Sequence, residues 1–152
     1  MKTIKQWFDE YSVSHQNETN IQIHFICVPA IYFSIVGMLL SIPVGFLGNI
    51  APTLSPLLIN WAAIAILFVM LFYVFLSIAT ALKMLFFSVV CLVANYYLGM
   101  ILPLFYVSLA IFAVAWVGQF YGHKIEGKKP SFLKDIQFLL IGPAWVMHKM
   151  FN

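Results

Sequence analysis

The stretch that decides the fold runs from residue 57 to residue 98, LLINWAAIAILFVMLFYVFLSIATALKMLFFSVVCLVANYYL, and Lys83 is its only charged residue. Widening the window changes little: between residues 19 and 123, Lys83 is still the only charged side chain. A soluble domain carries about 25% charged residues and about 45–50% apolar ones. This chain of 152 residues is 63% hydrophobic, 17% aromatic and 9% charged, with a mean hydropathy of +0.97. Such a stretch cannot build a water-facing surface, so lipid must solvate it. The sequence therefore predicts a single all-α integral membrane domain over residues 1–152, a helical bundle.

Working outward, spans are expected at about 25–47, 57–82, 84–98 and 102–121, since about 20 apolar residues cross a ~30 Å hydrocarbon core. Pro29 and Pro43 fall near the ends of the first span as read, where a missing backbone donor costs least. The turn between the third and fourth spans is placed at Asn95–Gly99, before Pro103, which leaves the third span short. Ahead of the spans, Ile4, Phe8, Tyr11 and His15 recur at helical spacing beside Trp7, so residues 2–15 read as an amphipathic helix suited to the membrane interface. The polar run after it offers Asn17 or Thr19 as an N-cap. At the other end, residues 131–151 hold an apolar core of only ten residues, Phe138 to Met147, interrupted by Gly142-Pro143. That segment is expected to be interfacial or re-entrant.

Net charge is +3, from eight lysines, no arginine and five acids. Without arginine, nucleic-acid recognition is excluded as a reading. Lys2 and Lys5 lie in the N-terminal arm that precedes the spans, and Lys124, Lys128, Lys129, Lys134 and Lys149 in the tail that follows them. With four spans, both termini and Lys83 fall on one membrane face, which the positive-inside rule makes cytoplasmic. No apolar signal-peptide core precedes Phe25, so the first span itself carries the targeting information. Lys124, Lys128 and Lys129 could attract an acidic head group. Cys27 and Cys91 lie in apolar runs with no CxxC spacing and read as packing residues.

All four histidines, His15, His24, His123 and His148, sit outside the middle of the expected spans, at the same membrane face. Asn17, Asn20 and His24 share one helical face; Trp116, Gln119 and His123 share another, which Glu126 continues. Each of these two histidines thus has an amide or carboxylate a turn away that can fix its ring. His15 and His24 converge only if the chain turns between them, and the polar run at Gln16 to Thr19 would supply that turn. Neutral imidazoles with oxygen ligands suit Fe(II), Zn(II) or Mn(II), and no thiolate joins the cluster. An amphiphile could place its head at such a metal and its tail against Phe33, Trp61, Phe72, Tyr96, Tyr97, Trp116 and Phe120, residues that core packing would equally use.

Two motifs carry a resemblance. Tyr11-x-x-x-His15-x-Asn17-x-x-Asn20-x-x-x-His24-x-x-x-x-Pro29 and Trp116-x-x-Gln119-Phe120-x-Gly122-His123-x-x-Glu126-x-x-x-Pro130 resemble the paired motifs of the yeast-type 2-hydroxy fatty acid dioxygenases. These are small multi-pass membrane proteins with relatives in bacteria. The resemblance implies an Fe2+-dependent enzyme of fatty acid α-oxidation, which uses O2 to shorten a 2-hydroxy fatty acid by one carbon. It implies His15, His24 and His123 as iron ligands, with Glu126, Asn20 and Gln119 as ligands or catalytic groups beside them. His148, in Gly142-Pro143-Ala144-Trp145-x-x-His148, is added as a fourth metal ligand. The host membrane would be a bacterial inner membrane or the endoplasmic reticulum. Small size and a short third span favour a homodimer. Two other readings compete: a non-enzymatic scaffold or lipid-binding membrane protein, and a haem b protein, which would need histidines on facing helices at membrane depth.

Overall fold

The computed structural model describes residues 2–50, 53–130 and 137–151, and within them the chain is helical with no strand. Lys134 and the first six residues of the expected 131–151 segment lie outside the described residues.

The first helix, α1 (Ile4–Ser12), starts at a capping box. Thr3 Oγ1 accepts from the Gln6 backbone N–H, and Gln6 Oε1 accepts from the Thr3 N–H, so two otherwise orphaned donors are met. Its apolar face carries Trp7, Phe8 and Tyr11, all buried. The last helix, α7 (Phe138–Met150), covers that face: Trp7 meets Phe138 edge-on at 5.3 Å and Tyr11 meets Trp145 at 5.2 Å. The amphipathic face is thus satisfied by protein.

The second helix, α2 (Glu18–Leu40), begins seven residues before the expected span and ends seven before its expected close. Asn17 caps it, its Oδ1 accepting from the N–H groups of Thr19 and Asn20. Hydropathy missed this start because Asn20 and His24 are polar, yet both are fully buried against other helices and meet no lipid. Pro29 consequently lies inside the helix rather than near its end. A short turn of helix, α3 (Leu47–Ile50), follows Gly45, whose φ of 52° is one that glycine adopts without strain.

Residues 57–98 divide at Ser77, not at Lys83. Helix α4 (Trp61–Leu76) is capped by Asn60, and Ser77 takes an extended conformation that closes it. Ser77 Oγ then accepts from the Thr80 N–H and opens α5 (Ile78–Gly99). One serine, capping both ways, was invisible to a hydropathy window. The third span is therefore 22 residues and not short, which removes that support for a dimer, and Lys83 lies within α5 instead of in a turn. Asn95 to Gly99 stay helical, and the turn falls at residues 100–103 before α6 (Leu104–Glu126). Gly127, at φ 70°, ends α6 in the left-handed C′ conformation.

In α7 the interruption expected at Gly142-Pro143 does not occur. The helix runs through Pro143 without a break, and Ile141, Ala144, Trp145 and Val146 are at most 1% exposed. Tyr73 of α4 donates to the Leu140 carbonyl at 2.6 Å, which anchors the segment inside the bundle.

Three helices, α2, α5 and α6, are long and apolar enough to cross a membrane. Their outer faces expose Ile26, Phe86, Val114 and Val117 at 68–74%, the surface of a membrane protein. Helix α4, at 16 residues, is apolar but shorter, about 24 Å. Helices α2 and α6 run antiparallel at close range because small residues line their contact. A Cβ on Gly118 would meet Cys27 Sγ at 2.6 Å, and one on Gly122 would run into Asn20 Oδ1. Cys91 is buried and Cys27 half-buried, both as free thiols.

Candidate metal centre

Close packing of α2 on α6 carries His24 and His123 to one point, and the α1–α2 turn swings His15 over them. The turn occupies residues 13–17, slightly ahead of where the polar run suggested. The ring centroids lie 4.4 Å (His15–His24), 4.8 Å (His24–His123) and 5.0 Å (His15–His123) apart, each pair edge-on. Exposure is 2%, 0% and 5% for His15, His24 and His123. One nitrogen from each lies within 4.8 Å of the others, and among the described residues this is the group able to hold a metal ion.

The hydrogen bonds fix two of the tautomers. His15 Nδ1 lies 2.7 Å from the Tyr11 carbonyl, and His24 Nδ1 lies 2.8 Å from the Asn20 carbonyl. A carbonyl only accepts, so both Nδ1 atoms carry the proton and both Nε2 atoms present a lone pair. His15 Nε2 is buried with no hydrogen-bond partner, and His24 Nε2 stands 3.2 Å from His123 Nε2. Burial, with His24 adding to it, pushes the His15 imidazole down to about 3, so it stays in the neutral form that ligates. Two nitrogens bound to one cation at about 2.0–2.1 Å, at angles of about 90–109°, lie about 2.9–3.4 Å apart. The His24–His123 separation falls in that range, and the orphaned His15 lone pair completes a donor set that fits a divalent metal. A haem would instead separate a trans histidine pair by about 4 Å with the macrocycle between them, and these rings leave no such slot.

The remaining polar residues hold the ligands in place. Glu126 Oε1 accepts from the Gln16 N–H at 2.9 Å, and its Oε2 from the Asn17 N–H at 2.9 Å and Asn20 Nδ2 at 3.1 Å. The last residue of α6 is thereby tied to the turn that carries His15. Lys128 reinforces the tie by donating to the Val13 carbonyl at 2.6 Å, a role its place in a lysine cluster did not suggest. Asn20 Nδ2 also donates to the Ser14 carbonyl. Glu126 does not join the metal-ligating group; both of its oxygens are turned to the Gln16, Asn17 and Asn20 donors. Gln119 is buried one turn before His123. His148 is not brought to the centre: it is exposed, with its ring 5.0 Å from Phe8.

Tyr11, expected on the apolar face of the first helix and in the first motif, stacks on His15 at 4.0 Å and 12°. Its place four residues before His15 on α1 was the available signal. Burial raises its phenol well above the usual range, so it remains a donor. Tyr11, Gln119 and His123 line a cavity of about 180 Å3 that continues between α2, α6 and α7 along Val28, Ile31 and Phe112. From His123 to Phe112 it follows one face of α6 for about 16 Å. Of the aromatic wall expected from sequence, Trp116 lines this cavity, whereas Phe33, Trp61, Phe72, Tyr96, Tyr97 and Phe120 do not. Of those six, Trp61, Phe72, Tyr96 and Tyr97 belong to α4 and α5, which do not line this cavity.

No curated protein and no solved structure matches the chain. A family model does, over residues 1–152: the protein belongs to the Mpo1-like family, described as 2-hydroxy-palmitic acid dioxygenase Mpo1-like.

Proposed function

We propose that the protein is an Fe(II)-dependent dioxygenase that shortens a 2-hydroxy fatty acid by one carbon, with His15, His24 and His123 as the metal ligands. One observation carries the reading: two imidazoles with fixed tautomers aim their lone pairs at a third, in a buried spot that opens on an apolar cavity. The family supports the substrate class. Bound there, Fe(II) would supply the Lewis acidity and redox capacity needed to use O2. All-histidine ligation leaves the centre more positive than a site with a carboxylate ligand, which favours an anionic substrate.

The chain's own residues do the rest. The cavity takes the alkyl chain and excludes water beside it. The Gln119 amide and the Tyr11 hydroxyl, which keeps its proton, face the same space and orient the carboxylate and 2-hydroxyl. Glu126 and Asn20 keep the His15 turn docked. In this reading α4 is the fourth span, both termini are cytoplasmic, and the host membrane is a bacterial inner membrane or the endoplasmic reticulum.

The test is metal analysis of the detergent-purified protein, followed by turnover of 2-hydroxypalmitate after anaerobic Fe(II) loading. Bound iron near one per chain with release of the acid one carbon shorter is expected. Protein that takes up no iron and leaves the substrate intact overturns the proposal.

A further inference from the structure

The single charge in the long apolar stretch faces a second cavity. Lys83 from α5, Lys5 from α1 and Lys149 from α7 line a space of about 700 Å3 together with His148, and Asp9 is the one acid among the described residues that line it. Its wall is apolar in part, with Phe8 (9% exposed) and Trp145 (1%) among the lining residues. Lys149 Nζ already sits over the Trp145 ring, 4.6 Å from its centroid. Like charges gathered on a low-dielectric wall repel one another and concentrate a positive potential in the hollow. Three ammonium groups from sequence positions 5, 83 and 149, set around one depression, suit an anion with several oxygens.

We propose that this cavity binds a phosphate-bearing anion, with Lys5, Lys83 and Lys149 as its ligands. The site is separate from the three histidines. It gives His148 a setting other than the metal. Two sources share the chemistry: the head group of an anionic phospholipid, and free phosphate.

Native mass spectrometry of the full-length protein in detergent tests this, with dioleoylphosphatidylglycerol, dioleoylphosphatidylcholine and inorganic phosphate titrated separately. Phosphatidylglycerol should bind once per chain and more tightly than phosphatidylcholine. Lys83→Gln and Lys149→Gln should each weaken it by about fivefold, with helicity by circular dichroism retained. Lys124→Gln and Lys129→Gln, outside the cavity, should leave it unchanged. Displacement by millimolar phosphate would identify the free ion as the occupant; resistance would identify the lipid. Equal binding of the two lipids when phosphate also fails to bind, or equal loss in the control lysine variants, overturns the site.

Discussion

His24 Nε2 lies 3.2 Å from His123 Nε2, although 99 positions separate them in sequence. The contact exists because α2 and α6 lie antiparallel with Gly118 and Gly122 between them, so the spacing of two helices sets the spacing of two imidazoles. Removing a ligand and forcing the helices apart should therefore damage the same property by different routes.

Ligand removal is the direct case. His24→Ala and His123→Ala should each lose stoichiometric iron while circular dichroism shows the helical content unchanged. His148→Ala should keep its iron, because that ring packs on Phe8 outside the cluster. Metal-to-protein ratios by mass spectrometry decide it. Iron retained in His24→Ala, or lost in His148→Ala, would contradict the assignment.

Glu126 makes a subtler claim. Its two oxygens accept three bonds from the segment that positions His15. In Glu126→Gln one oxygen becomes a donor and faces an N–H group, so the turn loosens. Partners of this kind typically cost about 10–100-fold in metal affinity when removed. A competition titration against a chelator of known affinity measures the loss. Affinity within twofold of the wild type would show that the clamp does not position His15.

The difference between what was legible and what was not follows from which rule governs each element. Helices α2, α5 and α6 were readable because lipid imposes an average on every outward residue, and hydropathy measures that average. Their ends were not, because ends are set by single caps. Asn17 and Ser77 decide where three helices start or stop, and Asn20 and His24 look like solvent-facing polarity until their burial is known. The histidines were findable by type and spacing, and so were Glu126, Asn20 and Gln119 as their neighbours. Which of them converge and which brace the turn was not, since that rests on contacts such as those of His15 Nδ1 with the Tyr11 carbonyl and His24 Nδ1 with the Asn20 carbonyl. That His148 stands apart from the other three was hidden for a related reason: its position near the sequence end says nothing about which face of α7 it occupies.

Helix separation gives the third test. A methyl group at position 122 would run into Asn20 Oδ1, and neither backbone can retreat without opening the α2–α6 contact. Gly122→Ala should cost about 1–3 kcal/mol, the usual penalty of overpacking, and should weaken iron binding although no ligand is touched. Gly48→Ala is the matched control, since its new Cβ would find Val44 at an ordinary 3.7 Å. Thermal unfolding in detergent should lower Tm for Gly122→Ala only. Unchanged Tm and iron content in that variant would mean the helices are not held at the distance described.

The cavity makes the last prediction, because it separates metal chemistry from substrate fit. Ile31 lines it on α2, well along from the end marked by His123 and Gln119. A tryptophan there fills space the alkyl chain would need but leaves alone all three histidines and the carbonyl partners of His15 and His24. Ile31→Trp should therefore hold iron as the wild type does. Its kcat/KM should fall at least tenfold, about 1.4 kcal/mol, for a 2-hydroxy acid of sixteen carbons and less for one of eight. The comparison of the two chain lengths is the measurement that matters, since a general packing defect would lower both alike. Equal losses would place the chain elsewhere, and an unchanged ratio with normal activity would show that this cavity does not receive it.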